Sequence, residues 1–296
     1  MKRLASILLC HVALLVTPSL RAGPAQSPAT APVDLPALLA RMKTAMHANA
    51  RLAQQYTSDE LWHNLNYNKK AKLTDDESAR YENVFVEGLP YHRKVEQNGK
   101  PLTGKAAEKE EARYEKAVRE RRSLSLQQKR SLFHFTTHYY SWPLCCLATL
   151  FENCIVRHEL VNGRDTVVVE STPKAGAHPA NDNERSSLDW KETTWIDVAE
   201  AMPARIEVAL LTDTSHMEKG ATNRIEFTRI DDDSAGADKP TSVVWLQSHF
   251  LATFHFKAMW MNLSGTSEQT WSNFKRFHVD MRLLDNSVQE VAPPKQ

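Results

Sequence analysis

Glycine is scarce in this sequence, with 9 in 296 residues, and cysteine is scarcer still, with 4. The first shortage argues against glycine-rich loops that cradle nucleotide phosphates, and no G-x-G-x-x-G, P-loop or G-x-S-x-G pattern occurs. An excess of charge is also missing, since 37 Lys and Arg stand against 36 Asp and Glu. A nucleic-acid partner, which needs a basic surface to displace counterions from phosphates, is therefore not expected. Beyond the N-terminus no apolar run approaches the roughly 20 residues a spanning helix needs, so no transmembrane span is expected in the mature chain. What is present, 42% hydrophobic and 25% charged residues, is the composition of a folded protein.

Lys2 and Arg3 precede an apolar run from Leu4 to Val16, then Thr17-Pro18 and small residues up to Ala22-Gly23. This pattern predicts a cleaved signal peptide over residues 1–22 and export from the cytoplasm. Residues 23–33, rich in Pro, Ala and Ser, are expected to form a flexible leader. Loss of Cys10 with the signal leaves Cys145, Cys146 and Cys154. An oxidising compartment permits one bridge, from Cys154 to either of the adjacent pair.

Asp34 offers an N-cap, with Pro36 in the first turn, for a helix whose Leu35, Leu38, Leu39, Met42, Ala45 and Met46 fall on one face. Most of the rest alternates as strand. Asn98-Gly99 and Asn162-Gly163 are strong hairpin signals, because both residues tolerate positive φ. Residues 103–123 break the pattern with a dense run of Lys, Glu and Arg, which predicts a charged surface helix with a thin apolar stripe. Residues 172–188 read as a polar connection. Two aromatic strands are expected to close the chain, one over Phe250 to Trp260 and one over Phe277 to Leu283. In total roughly nine to eleven strands and two good helices are predicted. Short connections imply antiparallel pairing, and a single sheet of that size tends to curl. The fold class is mainly β (α+β): a large curved antiparallel sheet forming an open half-barrel, with a greasy concave face covered by the amphipathic helix.

Motifs for chemistry are weak. His134 and His138, near Cys145 and Cys146, match no established zinc spacing and read as strand residues. Asp231-Asp232-Asp233 departs from the EF-hand pattern at Ala235 and Ser242, and reads as an acidic turn. His158-Glu159 lacks a second His. No catalytic residue, metal site or cofactor is expected, although an enzyme with residues scattered over separate strands would leave no linear motif. Alternation places Phe250, Phe254, Phe256 and Trp260 on one strand face. These are the candidate ligand-binding residues, lining a cavity or else packing against the helix of Leu35 to Met46.

The order of motifs is telling. Asn49 precedes Tyr56-Thr57, Gly88-Leu89-Pro90-Tyr91 leads to Gln97-Asn98-Gly99-Lys100-Pro101-Leu102, and a Lys/Glu helix follows. Then come Val161-Asn162-Gly163-Arg164, Thr172-Pro173, Thr194-Trp195-Ile196-Asp197 and Pro203-Ala204-Arg205-Ile206. Over most of the mature chain this resembles the outer-membrane lipoprotein-sorting-protein-like group, the LolA, LolB and RseB half-barrels. The resemblance implies an unclosed antiparallel barrel with helices on its concave face, in a single domain over residues 34–290. The charged helix at about 103–125 is then an insertion. It also implies a non-catalytic periplasmic role in lipoprotein or envelope trafficking, with a hydrophobic small molecule or lipoprotein acyl chain as partner. The alternative it carries is an envelope protein-interaction or stress-sensing module.

Overall fold

The computed structural model describes residues 32–129, 131–132, 146–214, 217–232, 242–258 and 261–277. Helix α1 (Leu35–Ala53) starts where Asp34 Oδ1 accepts a hydrogen bond from the Ala37 amide at 3.1 Å, with Pro36 in the first turn. Its Leu38, Leu39 and Met42 are buried, as their spacing predicts. Then follow β1 (Tyr56–Tyr67), β2 (Leu73–Val86), β3 (Leu89–Gln97), β4 (Lys100–Pro101) and α2 (Gly104–Arg122). Two short helices, α3 (Leu147–Leu150) and α4 (Asp182–Ser187), flank β5 (Phe151–Val161) and β6 (Arg164–Pro173). The chain continues through β7 (Trp190–Asp197), β8 (Pro203–Leu210), β9 (Thr222–Asp232), β10 (Ser242–Ala258) and β11 (Met261–Arg276).

All eleven strands belong to one antiparallel sheet in the order β4-β3-β2-β1-β11-β10-β9-β8-β7-β6-β5. Every neighbour but one is also a neighbour in sequence; the exception, β1 against β11, joins the two ends of the chain. Among the described residues no pairing joins β4 to β5, so the sheet is an open half-barrel. The hairpins form as read. Asn98 and Gly99 take φ of 51° and 72°, and Asn162 and Gly163 take 51° and 76°. Glu87 and Gly88 adopt the same double left-handed turn, at 51° and 81°, between β2 and β3.

Three readings need correction. First, a strand that the sequence reading did not contain, β11, occupies residues 261–276, next to the aromatic alternation of Phe277 to Leu283. Phe277 itself follows β11, donating its amide to Gln55, and residues 278–283 lie outside the described residues. β11 was hidden because its register positions Gly265, Ser267 and Gln269 are small or polar. Second, the connection of residues 172–188 contains α4, capped by Asn181 Oδ1 on the Glu184 amide at 2.9 Å. Six residues are too few to show a period. Third, Cys146 and Cys154 are unbridged thiols, and Cys145 is outside the described residues. Cys146 is buried with its Sγ 3.2 Å from Ser187 Oγ, whereas Cys154 is exposed on β5. Alternation puts the Cys154 side chain on the face opposite Asn153, the face away from α3.

Candidate ligand-binding face

Opposed residues in an antiparallel ladder share a face, so the register traces each face across the sheet. One face carries Ser171, Glu192, Val208, Asn223, Ala252, Ser267 and Asn64 as successive partners from β6 to β1. Next to that row run Val169, Thr194, Ile206, Ile225, Phe250, Gln269 and Trp62, and this is the inner face. Helix α1 lies on it toward one end, where Ala45 and Met46 pack on Met202, Ala204 and Trp245 with Phe227 and Val243. Asn49 pins the helix there. Its Nδ2 donates to the Trp245 carbonyl at 2.7 Å and its Oδ1 accepts from the Trp245 amide at 2.7 Å. β11 pairs with β10 only from His249 onward, so one side-chain amide completes the ladder where the neighbouring strand has turned away. Arg41 adds a bond to the Ala199 carbonyl at 2.9 Å.

Over β5 to β8 the inner face is filled by the chain itself. Val167, Val169 and Ile196 are 0% exposed. Asn153 donates to the Leu147 carbonyl at 2.8 Å and accepts from Ser171 Oγ at 2.7 Å, which holds α3 over these strands. Leu147 and Leu150 are buried. Beneath them Glu192 is buried, accepting from Thr194 Oγ1 at 2.5 Å. Burial, reinforced by the nearby Cys146 thiol and only partly opposed by the Thr194 bond, pushes the Glu192 carboxyl up to about 8. On the outer face of the same half, Trp195 lies between the Arg157 and Arg205 guanidinium groups and donates to Glu159 at 3.0 Å.

Over β10, β11, β1 and β2 the inner face is different. Phe250, Ala252, Phe254 and Phe256 alternate along β10, all half-buried. The three predicted phenylalanines therefore do share one face; Trp260 lies outside the described residues. The Phe254 ring rests on Gly265 across the ladder, where a Cβ would stand 2.8 Å from its Cζ and run into the Leu65 carbonyl oxygen. Beyond β11 the face turns polar. Glu60 is buried, and its Oε2 accepts from His92 Nε2 at 2.9 Å, Trp271 Nε1 at 3.0 Å and Asn83 Nδ2 at 3.1 Å. Burial alone would raise the Glu60 carboxyl, but these donors outweigh it and leave it below the usual carboxylate range. His92 stacks on Tyr81 at 3.8 Å, and Trp62 Nε1 donates to Ser267 Oγ at 3.2 Å. Sequence reasoning missed this cluster, because its members sit on four strands and only the register unites them.

The charged insertion packs on the outer face at β3. Tyr91 is buried edge-on against Tyr114 and donates to Glu110 at 3.1 Å, with Arg113 and Arg121 over its ring. Arg121 also donates to the Leu89 and Pro90 carbonyls, and Arg122 pairs with Glu87 at 2.9 Å. Much of the basic cluster at the helix end is thus engaged in holding the helix. Among the described residues no helix is long and apolar enough to cross a membrane. Nor do three or more His, Cys, Asp or Glu residues gather there as metal ligands. His134, His138 and Cys145 lie outside the described residues.

No family model and no curated protein matches the chain. Solved structures similar to it include an outer membrane lipoprotein-sorting protein domain from Vibrio parahaemolyticus. It is 16% identical, with a TM-score of 0.33, over 79% of this chain and 91% of that one. A LolA superfamily protein from Nitrosomonas europaea is 11% identical, with a TM-score of 0.29, over 82% and 96%. The lipoprotein LppX from Mycobacterium tuberculosis is 12% identical, with a TM-score of 0.29, over 83% and 99%.

Proposed function

We propose that the protein is a non-catalytic periplasmic binding protein that takes an acyl chain or similar hydrophobic ligand on the open half of its inner face. The observation that carries this reading is the half-buried row of Phe250, Phe254 and Phe256, beside strands whose inner face α3 already covers. An oily surface left uncovered in water is unfavourable, and covering it gains about 25 cal/mol per Å², or roughly 0.8 kcal/mol per buried methylene. On this reading residues 34–290 form one domain with the helix at about 103–125 as an insertion, following a signal peptide (1–22) and a flexible leader (23–33).

The test is titration of the mature protein with a fluorescent fatty acid. Saturable binding is expected, weakened roughly tenfold in Phe254→Ala by loss of about 1.4 kcal/mol of contact. Absence of saturable binding, or affinity indifferent to that substitution in a folded variant, refutes the reading.

A second reading, a protein-interaction module, is favoured by the sheet edge at β5. Leu160 is 71% exposed and Val156 43% exposed there, next to backbone groups that no described strand pairs with. Such an edge accepts an added strand. Retention of an envelope protein, rather than a lipid, by the purified chain would select this reading.

A further inference from the structure

The open half carries more than an oily row. Asn223, Asn64 and Gln269 lie on the same face as Phe250 and Phe254, in register with Ala252, Ser267 and Phe250 respectively. All three amides are half-buried, and among the described residues none makes a hydrogen bond through its side chain. Each amide offers two donor hydrogens and an acceptor oxygen, and groups of this kind set among phenylalanines are normally satisfied. Ser267 stands between Asn64 and Ala252, accepting from Trp62. Trp62 and Trp271 present two further half-buried rings on that face.

Cations are missing from the strands β1, β10 and β11 of this surface. The inner register positions of β1 are Ser58, Glu60, Trp62, Asn64 and Asn66, and those of β11 are Leu263, Gly265, Ser267, Gln269 and Trp271. With the β10 row they include no Lys or Arg. The one carboxylate among them, Glu60, already holds three donors. An anionic head group such as phosphate, lowered onto this surface, would lose water and gain no cation. A quaternary ammonium would find the carboxylates beside it already accepting: Glu60 from His92, Trp271 and Asn83, and on β2 Glu77, opposite Asn64, from Gln97 Nε2 at 2.8 Å and Asp75, opposite Asn66, from Asn66 Nδ2 at 3.3 Å. Hydroxyl groups match what is offered, because each can both donate to and accept from an amide.

We infer that the ligand is an amphiphile with an uncharged, hydroxyl-bearing head group, whose chain lies along Phe250 to Phe256 and whose head is held by Asn64, Gln269 and Asn223. This rests on the proposed hydrophobic-ligand function and narrows it to a ligand class. Specificity arises as much from the missing cations, which penalise anionic heads, as from the amides.

Three detergents with the same twelve-carbon chain separate the two claims: dodecyl maltoside, dodecyl phosphate and dodecyltrimethylammonium, each titrated below its micelle-forming concentration by calorimetry. Dodecyl maltoside is expected to bind at least tenfold more tightly than either charged analogue. The double variant Asn64→Leu/Gln269→Leu should erase that margin while leaving the charged analogues within about twofold, and Phe254→Ala should weaken all three alike. Gln269→Lys, which places a cation on the face, should raise the affinity for dodecyl phosphate about tenfold. Equal affinities for the three detergents, or tighter binding of a charged one, overturn the head-group inference and leave the apolar site standing. Binding of none of them overturns both.

Discussion

The two halves of the inner face are built from the same antiparallel ladder and end in opposite states. Over β6, β7 and β8 the inner positions include the buried Val167, Val169, Ile196, Ile206, Val208 and Leu210, and α3 lies over these strands near the buried Glu192. Over β10, β11, β1 and β2 the positions mix Phe and Trp with Asn, Gln, Ser and Glu, and the side chains are half-buried. The first half is a core that α3 helps to seal, and the second is a face that no described helix covers to the same extent. Sheet curvature alone does not create a binding face; the proposed site lies on the half that the described helices leave less covered.

The division of labour is testable, beginning with the largest effect. Ile196→Ala, which opens a cavity in the filled half, should cost about 3–4 kcal/mol in urea unfolding, whereas Phe250→Ala on the open half should cost about 1 kcal/mol. Similar losses would mean that the two halves are packed alike. Next is Glu192→Gln. The Glu192 carboxyl sits at about 8 in the folded chain against 4.5 ordinarily, so the folded state holds a proton that the unfolded chain has released. Stability should therefore fall as pH rises between those values, with the loss complete above the higher one. The glutamine variant should be flat over that window and more stable than the parent by roughly 3 kcal/mol at pH 8, read from melting at several pH values. A smaller effect, of about 1–2 kcal/mol, is expected for Glu60→Gln, with the opposite pH signature. Its folded value lies below the ordinary one, so its contribution is present above pH 4.5 and is lost as pH falls through the folded value. The variant should lack that acid limb.

How much of this could be read beforehand depended on how local the signal was. The Asn-Gly hairpins, the capped helix α1 and the alternation of β8 and β10 are written in adjacent residues and formed where expected. The Phe250, Phe254 and Phe256 row was legible for the same reason. β11 escaped because a strand that faces a polar surface lacks hydrophobic alternation, and α4 escaped because six residues are too few to show a period. The Glu60 cluster gathers residues 60, 83 and 92 through the pairing of β1, β2 and β3, and residue 271 through the β1–β11 closure. The helix at residues 104–122 showed its charges plainly, but not that Arg121 would be spent on the carbonyls of Leu89 and Pro90.

Gly265 carries a consequence for the shape of whatever docks beside it. Where Phe254 crosses this residue, the floor under the ring is main chain, with Leu65 and Asn66 of β1 closing in from the far side. Any larger residue would have to push two neighbouring strands apart before it could tilt the aromatic plane. Groove depth at this point is therefore an inherited property of the sheet spacing, and altered selectivity must come from the walls.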